Sequence, residues 1–255
     1  MTRIIVGGCN GKMGREVASC AAQRDDCVIT GGIDINPEEK HPFPVFAKPA
    51  DINVDVDVIV DFSNPALLSS LLQYAQIHKT PLVLCTTGYN GAQVEALKRV
   101  SAEVPVFYSG NMSLGVNLLI ELSKMAAKAL GSGFDIEIIE QHHNQKIDAP
   151  SGTALMIADG ISSVLKENTR YVYDRHSQRK KRDPSEIGIH SVRGGTIVGE
   201  HEVIFAGNQE VITLSHSAQS KGIFAAGAVN AAVYLTGKPA GLYNMSDLLK
   251  REASS

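Results

Sequence analysis

Arg3-Ile-Ile-Val6-Gly7-Gly8-Cys9-Asn10-Gly11-Lys12-Met13-Gly14-Arg15-Glu-Val-Ala-Ser-Cys-Ala-Ala22 is the stretch on which the fold turns. Arg3–Val6 is a short apolar run of buried-strand type, and residues 15–22 read as a helix. Gly8, Gly11 and Gly14 lie in the turn between them. Such a turn lets the backbone approach a pyrophosphate, which then rests on the helix N-terminus. The spacing is G-x-x-G-x-x-G rather than the commoner G-x-G-x-x-G, and many turns need glycine. The context carries the reading.

A second strand, Val28–Ile33, ends in Asp34, twenty residues beyond Gly14 and placed to accept hydrogen bonds from a ribose diol. Strand, helix, strand, helix, strand then follow at Val56–Phe62, Pro65–His78, Pro81–Cys85, Gln93–Ala102 and Val104–Phe107. This alternation predicts a parallel sheet covered on both faces. Its carboxyl edge, where ligands bind, should gather Phe62-Ser-Asn-Pro65, Thr86-Thr87-Gly88-Tyr89 and Ser109-Gly110-Asn111-Met112. Small hydroxyls, glycines and an amide suit a nicotinamide ribose and carboxamide, although turn chemistry alone uses the same residues.

Beyond residue 113 the texture changes. A long helix from Leu114 to about Leu130 precedes four strand-like segments, Asp135–Gln141, Ile187–Arg193, Glu202–Ala206 and Glu210–His216. Gly194-Gly195 and Gly207-Asn208 mark hairpin connections in this reading. The expectation is an open, partly antiparallel sheet with helices on one face, the other face rich in apolar and small residues and requiring a partner. Lys221–Leu235, Gly/Ala-rich and helical, is expected to return with a turn at Ser246–Arg251 to the nucleotide domain. The domains read as 1–112 with 222–255, and 113–221.

Glu140-Gln-His142-His143-Asn-Gln-Lys146-Ile-Asp148-Ala-Pro150-Ser151-Gly152-Thr153-Ala154 joins a strand to a helix. Pro150 suits the approach to a new helix, and Ser151 serves as its N-cap. The amides of Gly152 and Thr153 then face outward for a carboxylate or phosphate. Lys146 adds positive charge, and the imidazoles exchange protons near neutral pH. No metal is expected: adjacent histidines at a strand end point to opposite faces, and Lys146 repels a cation.

The chain has 255 residues, 44% of them hydrophobic, and a formal net charge of −3. That is enough to bury a large core and argues against general nucleic-acid binding. The basic run Arg175–Arg182 lacks interleaved aromatics and reads as a solvated loop. There is no run of about eighteen apolar residues, so no membrane helix is expected. Met1-Thr-Arg leads straight into a strand, and Cys9, Cys20, Cys27 and Cys85 form no C-x-x-C pair, which together suggest reduced thiols and a cytoplasmic location.

The Glu140–Ala154 stretch resembles the E-x-H-H-x-x-K-x-D-x-P-S-G-T-A signature of the dihydrodipicolinate reductase family, without a substitution. Gly11-Lys-Met13-Gly14, Asp61-Phe-Ser63, Thr86-Thr87-Gly88, Asn111–Asn117 and Arg193–His201 carry the likeness over essentially the whole chain. The resemblance implies an α/β architecture, a Rossmann-like doubly wound parallel sheet plus an α+β substrate and oligomerisation domain with an open mixed sheet. It implies NADH- or NADPH-dependent reduction of a cyclic, conjugated imine dicarboxylate and a homotetramer, with no nucleic acid and no membrane as partners. By position, His142 looks like the acid/base and Lys146 its partner, with His143, Ser151, Gly152 and Thr153 on the substrate. Gly8, Cys9, Asn10, Gly11, Lys12 and Met13 match the cofactor loop, and Asp34 the adenosine ribose contact. Cys85, Thr86, Thr87, Ser109, Gly110, Asn111 and Met112 match the nicotinamide side.

Two positions depart from the pattern. Ile35 stands where many relatives carry an arginine for a 2′-phosphate, so a preference for NADH is expected, with Lys12 keeping NADPH use open. Lys221 replaces another arginine, a point charge in place of a fork. A dehydrogenase of other specificity would need the glycine loop but not this pocket. A nucleotide-sensing regulator would lack His142 and Lys146.

Overall fold

The computed structural model describes residues 1–38, 41–165 and 168–252. In chain order, β1 (Thr2–Gly7) leads through the glycine turn into α1 (Lys12–Ala21), and β2 (Cys27–Ile33) and β3 (Val45–Phe46) follow. Helix α1 starts three residues before the expected Arg15, because Gly11 is itself the N-cap, with extended backbone and no side-chain cap. β4 (Val58–Asp61), α2 (Leu68–His78), β5 (Leu82–Leu84), α3 (Gly91–Ser101) and β6 (Pro105–Tyr108) complete the N-terminal alternation. α4 (Leu114–Leu130), β7 (Asp135–His142), α5 (Gly152–Ser162), β8 (Arg170–Val172), β9 (Glu186–Arg193), β10 (Gly199–Ala206) and β11 (Val211–Ala218) come next. The chain closes with α6 (Gly222–Leu235), β12 (Gly241–Tyr243) and α7 (Met245–Glu252). The short edge strands β3, β8 and β12 were not foreseen, since two or three residues carry no periodicity.

Contacts divide the chain into two compact units, Met1–Leu114 with the segment from Lys221 onward, and Gly115–Ser220. The first is a seven-stranded sheet of order β12-β6-β5-β4-β1-β2-β3. All its pairings are parallel. Strand order reverses between β1 and β4, which opens a crevice at their carboxyl ends. Both faces are buried, as the continuous apolar runs require. On one, Ile4, Val6, Val58 and Val60 meet Ala228, Ala232 and Leu235 of α6. On the other, Ile5 and Ile59 meet Leu71 of α2 and Leu97 of α3. The small residues of α6 permit close approach: a Cβ on Gly227 would lie 1.7 Å from the Met112 carbonyl oxygen.

The second unit is a five-stranded sheet of order β11-β10-β7-β9-β8. β10 runs antiparallel to β11 and β7, whereas β7, β9 and β8 are parallel. Gly194-Gly195 therefore does not make the expected hairpin. β9 and β10 flank β7, and the two glycines carry the chain over its end, with the Gly194 N–H on the His142 carbonyl at 2.9 Å and the Asn144 N–H on the Gly195 carbonyl at 3.2 Å. Leu119 and Ala127 of α4 and Ile157 and Ile161 of α5 cover one face, packing on Ile136, Ile138, Ile187, Val203 and Phe205. By register the other face mixes Ile139 and Ile204 with Glu137, Gln141, His190 and Glu202. Val192, Ala206 and Val211 with Gly188, Thr213, Ser215 and Ser217 share that face, so apolar and small residues alternate there with charged ones.

The basic run is not a solvated loop throughout. Arg175 bridges Glu137 at 2.6 Å and Glu186 at 2.7 Å. Lys180 also reaches Glu186, and Arg182 pairs with Asp135 and Glu137. Sequence distance hid these acids, which β7 and β9 bring beneath the loop.

Candidate active site

At the crevice of the parallel sheet the glycine turn fulfils a steric demand. Gly8 has φ +72°, and a Cβ there would lie 2.9 Å from the Phe62 carbonyl oxygen. A Cβ on Gly14 would lie 2.2 Å from the Gly8 carbonyl oxygen. The first amides of α1 have no side-chain cap and no acidic residue in the first turn, so the N-terminus presents an uncompensated positive end. Gly8, Gly11, Asp34 and Ile35 line one cavity of about 530 Å³, together with Phe62 and Ser63. Asp34 accepts the Asn10 and Asn36 backbone N–H groups at 3.1 and 3.2 Å. Asn10 is held in turn by His41, whose Nε2 lies 2.7 Å from its Oδ1. Cys9 is core: it is buried, and a Cβ on Gly32 would strike its sulfur at 2.5 Å. Its side chain is therefore unavailable to a ligand. Lys12 opens α1 on the exposed side.

A second cavity, about 380 Å³, is lined by Met13, Phe62, Ser63, Cys85, Thr86, Thr87, Ser109, Gly110, Asn111 and Met112. Phe224 of α6 also lines it, which no local motif could reveal because it arrives from the far end of the chain. Beneath lies Asp61, fully buried, accepting the hydroxyls of Ser63 at 2.6 Å and Thr86 at 2.7 Å. Burial raises its carboxyl from its ordinary value, against the lowering by these donors. A backbone turn cleared of side chains, a helix N-terminus and a carboxylate at the end of β2 fit a dinucleotide.

In the other unit, β7 alternates strictly, with Ile136, Ile138, Glu140 and His142 all buried. Its register thus carries an acid and an imidazole inward at positions where isoleucines precede them. His142 Nδ1 lies 2.5 Å from Glu140 Oε2. Arg193, at the end of β9, grips the same carboxylate with two nitrogens at 2.9 and 2.7 Å. The Ser151 N–H adds a third donor at 3.1 Å. Burial alone would raise the Glu140 carboxyl, but these donors, Arg193 foremost, hold it down at about 2. Burial likewise pulls His142 below its ordinary value; Glu140 opposes this, and Lys146 and Arg193 reinforce it.

Ser151 caps α5, its hydroxyl accepting the Ala154 N–H at 3.2 Å. The same hydroxyl lies 3.3 Å from Nε2 of His201, a buried imidazole on β10 that stacks edge-on against His142 with 5.3 Å between centroids. Burial, with the neighbouring His142 charge, pushes His201 down to about 4, so it is neutral at physiological pH. Lys146 Nζ pairs with Asp148 at 2.9 Å. The Asp148 carboxyl is held low chiefly by Lys146, with a smaller contribution from the Gly152 N–H. His143 follows the end of β7 and is half-buried. Glu140, Arg193 and His201 are absent from the sequence-derived site. The available signal was an acid two residues before His142, on the inward phase of β7.

Comparison with known proteins shows two family models matching in tandem. "Dihydrodipicolinate reductase, N-terminus" matches residues 2–112 and "Dihydrodipicolinate reductase, C-terminus" residues 115–249. The 4-hydroxy-tetrahydrodipicolinate reductase of Caldanaerobacter subterraneus subsp. tengcongensis is 51% identical over 251 residues, 98% of this chain and 99% of that protein. The enzyme of the same name from Clostridium tetani is 47% identical over 249 residues, 98% of this chain and 97% of its own. A solved structure described as dipicolinate-bound dihydrodipicolinate reductase, from Paenisporosarcina sp. TG-14, shares the fold at a TM-score of 0.80 and 24% identity, covering 96% of this chain and 97% of that one.

Proposed function

Because this chain belongs to the dihydrodipicolinate reductase family, we infer that it is a 4-hydroxy-tetrahydrodipicolinate reductase of lysine and diaminopimelate biosynthesis. It is a pyridine-nucleotide-dependent oxidoreductase with a Rossmann-type N-terminal domain. The substrate is the dehydrated, conjugated imine form of the hydroxy dicarboxylate, and the product is tetrahydrodipicolinate. NAD(P)H supplies a hydride to the ring, and the accumulating negative charge must be met by a proton.

We assign that proton to the His142/Lys146 pair. The observation that supports it is the buried His142, fixed by Glu140 at one nitrogen, at the end of β7 where it meets the loop that carries Lys146 and leads to the Ser151-capped helix. An imidazolium in such a setting is a general acid. The two carboxylates of the substrate go to Lys146, His143 and the helix start of Ser151, Gly152 and Thr153. Asp148 engages Lys146 and the Gly152 N–H, which marks the point a substrate carboxylate would take over. Residues 1–112 with 222–255 are assigned to the dinucleotide and 113–221 to substrate binding and tetramerisation.

Gly8 through Met13, Cys9 by its backbone alone, would hold the pyrophosphate, and Asp34 the adenosine ribose. Cys85, Thr86, Thr87 and Ser109–Met112 would hold the nicotinamide side. NADH is the preferred donor in this reading, since Asp34 repels a 2′-phosphate and Ile35, 97% exposed, offers no cation for it. The homotetramer would bury the uncovered face of the five-stranded sheet. Among the described residues no helix is long and apolar enough to cross a membrane; we assign the enzyme to the cytoplasm.

The test couples the purified protein to dihydrodipicolinate synthase, with pyruvate and aspartate semialdehyde, and follows nucleotide oxidation. Substrate-dependent oxidation is expected. None with either nucleotide, from folded protein, would overturn the assignment. A tenfold or greater advantage of NADPH in kcat/KM would overturn the NADH preference alone.

A further inference from the structure

We propose that Glu140, clamped by Arg193, is the positioning residue for His142: it takes the hydrogen on Nδ1 and so leaves Nε2 as the nitrogen that exchanges a proton with the substrate. The inference rests on the reading of His142 as the proton exchanger and deepens it.

An ionised carboxylate only accepts hydrogen bonds, so the ring nitrogen that faces it must carry the hydrogen. Glu140 is fully buried and stays ionised, because Arg193 and the Ser151 amide satisfy it. The 2.5 Å contact therefore selects the Nδ1–H tautomer of the neutral ring and leaves the Nε2 lone pair free of that partner. Nε2 also has room. Gly199 of β10 faces it, and a Cβ at that position would stand 3.1 Å from Nε2. Arg193 does more than balance charge. Its Nη2 also reaches the Asp148 carbonyl at 2.7 Å, so the same fork that orients the acid tethers the loop bearing Lys146.

A structural account of the pair is weaker. A buried ion pair is seldom worth more to stability than apolar residues of the same shape. The pair also lies where the strand meets the proton-exchanging loop, on the apolar phase of β7. The groups that face His142 set the direction of any pH effect. Glu140 on β7 favours its charged form, while Lys146 on the following loop and Arg193 on β9 disfavour it. His201 on β10 is a neutral neighbour above about pH 4. Removing the charge of Glu140 leaves burial and two cations unopposed.

Glu140→Gln keeps the shape and removes the obligatory acceptor. Its kcat should fall at least about tenfold, a lower bound set well under the roughly 10⁴-fold loss when a triad carboxylate is made an amide, with KM for the nucleotide unchanged. The midpoint of the kcat/KM profile should move to lower pH than in the wild type. Arg193→Lys, which keeps charge and loses the fork, should fall between the two. Heteronuclear NMR of the histidine side chains in the wild-type protein reads the tautomer directly, whether or not the variants fold. An Nδ1–H ring for His142 is expected, and an Nε2–H ring would overturn the proposal. Wild-type kcat and pH profile in Glu140→Gln would overturn it too. His142→Gln separates the two levels: if that variant turns over normally, the assignment of His142 fails. If it is inactive while Glu140→Gln is normal, only the positioning role fails.

Discussion

His142 shows how little of a residue's chemistry its name carries. In water an imidazole is half protonated near pH 6.5; here burial lowers that value, with Lys146 and Arg193 adding to the effect. If the imidazolium is the proton donor, kcat/KM must fall as pH rises through the lowered value of the free enzyme, below the ordinary 6.5. A bound dianion restores stability to the charged ring, so the corresponding fall in kcat should come at higher pH. Steady-state profiles check both limbs; a kcat/KM that climbs between about pH 5 and 7 would contradict the assignment. His142→Gln and Lys146→Ala should each lower kcat by about a hundredfold or more, in single-turnover and steady-state assays alike. Fluorescence titration should show NADH binding retained.

At the scale of elements, two helix starts are assigned the ligand chemistry in the proposed function, and they are built differently. α5 is capped by Ser151, and loss of that hydroxyl in Ser151→Ala should cost about 1 kcal/mol, read by urea denaturation. α1 has no such cap, and glycines clear the approach to it. Gly14→Ala would drive a methyl to within 2.2 Å of the Gly8 carbonyl oxygen, a backbone atom rather than the end of a flexible side chain. The turn must distort, at a cost of about 1–3 kcal/mol, and nucleotide affinity should drop with it. Calorimetric titration of NADH against Gly14→Ala measures the second effect, which an unchanged affinity would refute. The glycine spacing made this element legible from sequence. The mixed sheet was legible only in part: its alternation located β7, but the position of β7 between β9 and β10 depends on pairing between distant segments.

For the molecule as a whole, buried charge makes stability fall toward acid. His201 takes up a proton at about 4 in the folded chain and at about 6.5 unfolded, so the unfolded state gains protons first as pH falls through that interval. Glu140 and Glu186 act lower, their folded values near 2 against 4.5 unfolded, and their contribution, complete above 4.5, is lost as pH falls toward 2. The unfolding midpoint should therefore drop in two stages, the first between about pH 6.5 and 4. His201→Gln should shrink that first stage, to which His142 and His216, also held below their ordinary value by burial, contribute, and leave the second. A thermal-denaturation series across pH decides it, and an unchanged first stage would assign it to other groups.

The glycine turn, the parallel sheet and the loop from Glu140 to Ala154 follow from residues adjacent in the chain, because turn sterics, strand alternation and helix capping all act within a few positions. The clamp of Arg193 on Glu140, the neutral His201, the folding of Arg175 and Arg182 onto acids of β7 and β9 and the arrival of Phe224 beside Met13 join residues tens to hundreds of positions apart. Those were decided by strand order and helix packing, since which charges meet in a low-dielectric interior depends on the three-dimensional pairing of segments whose local sequences are silent about one another.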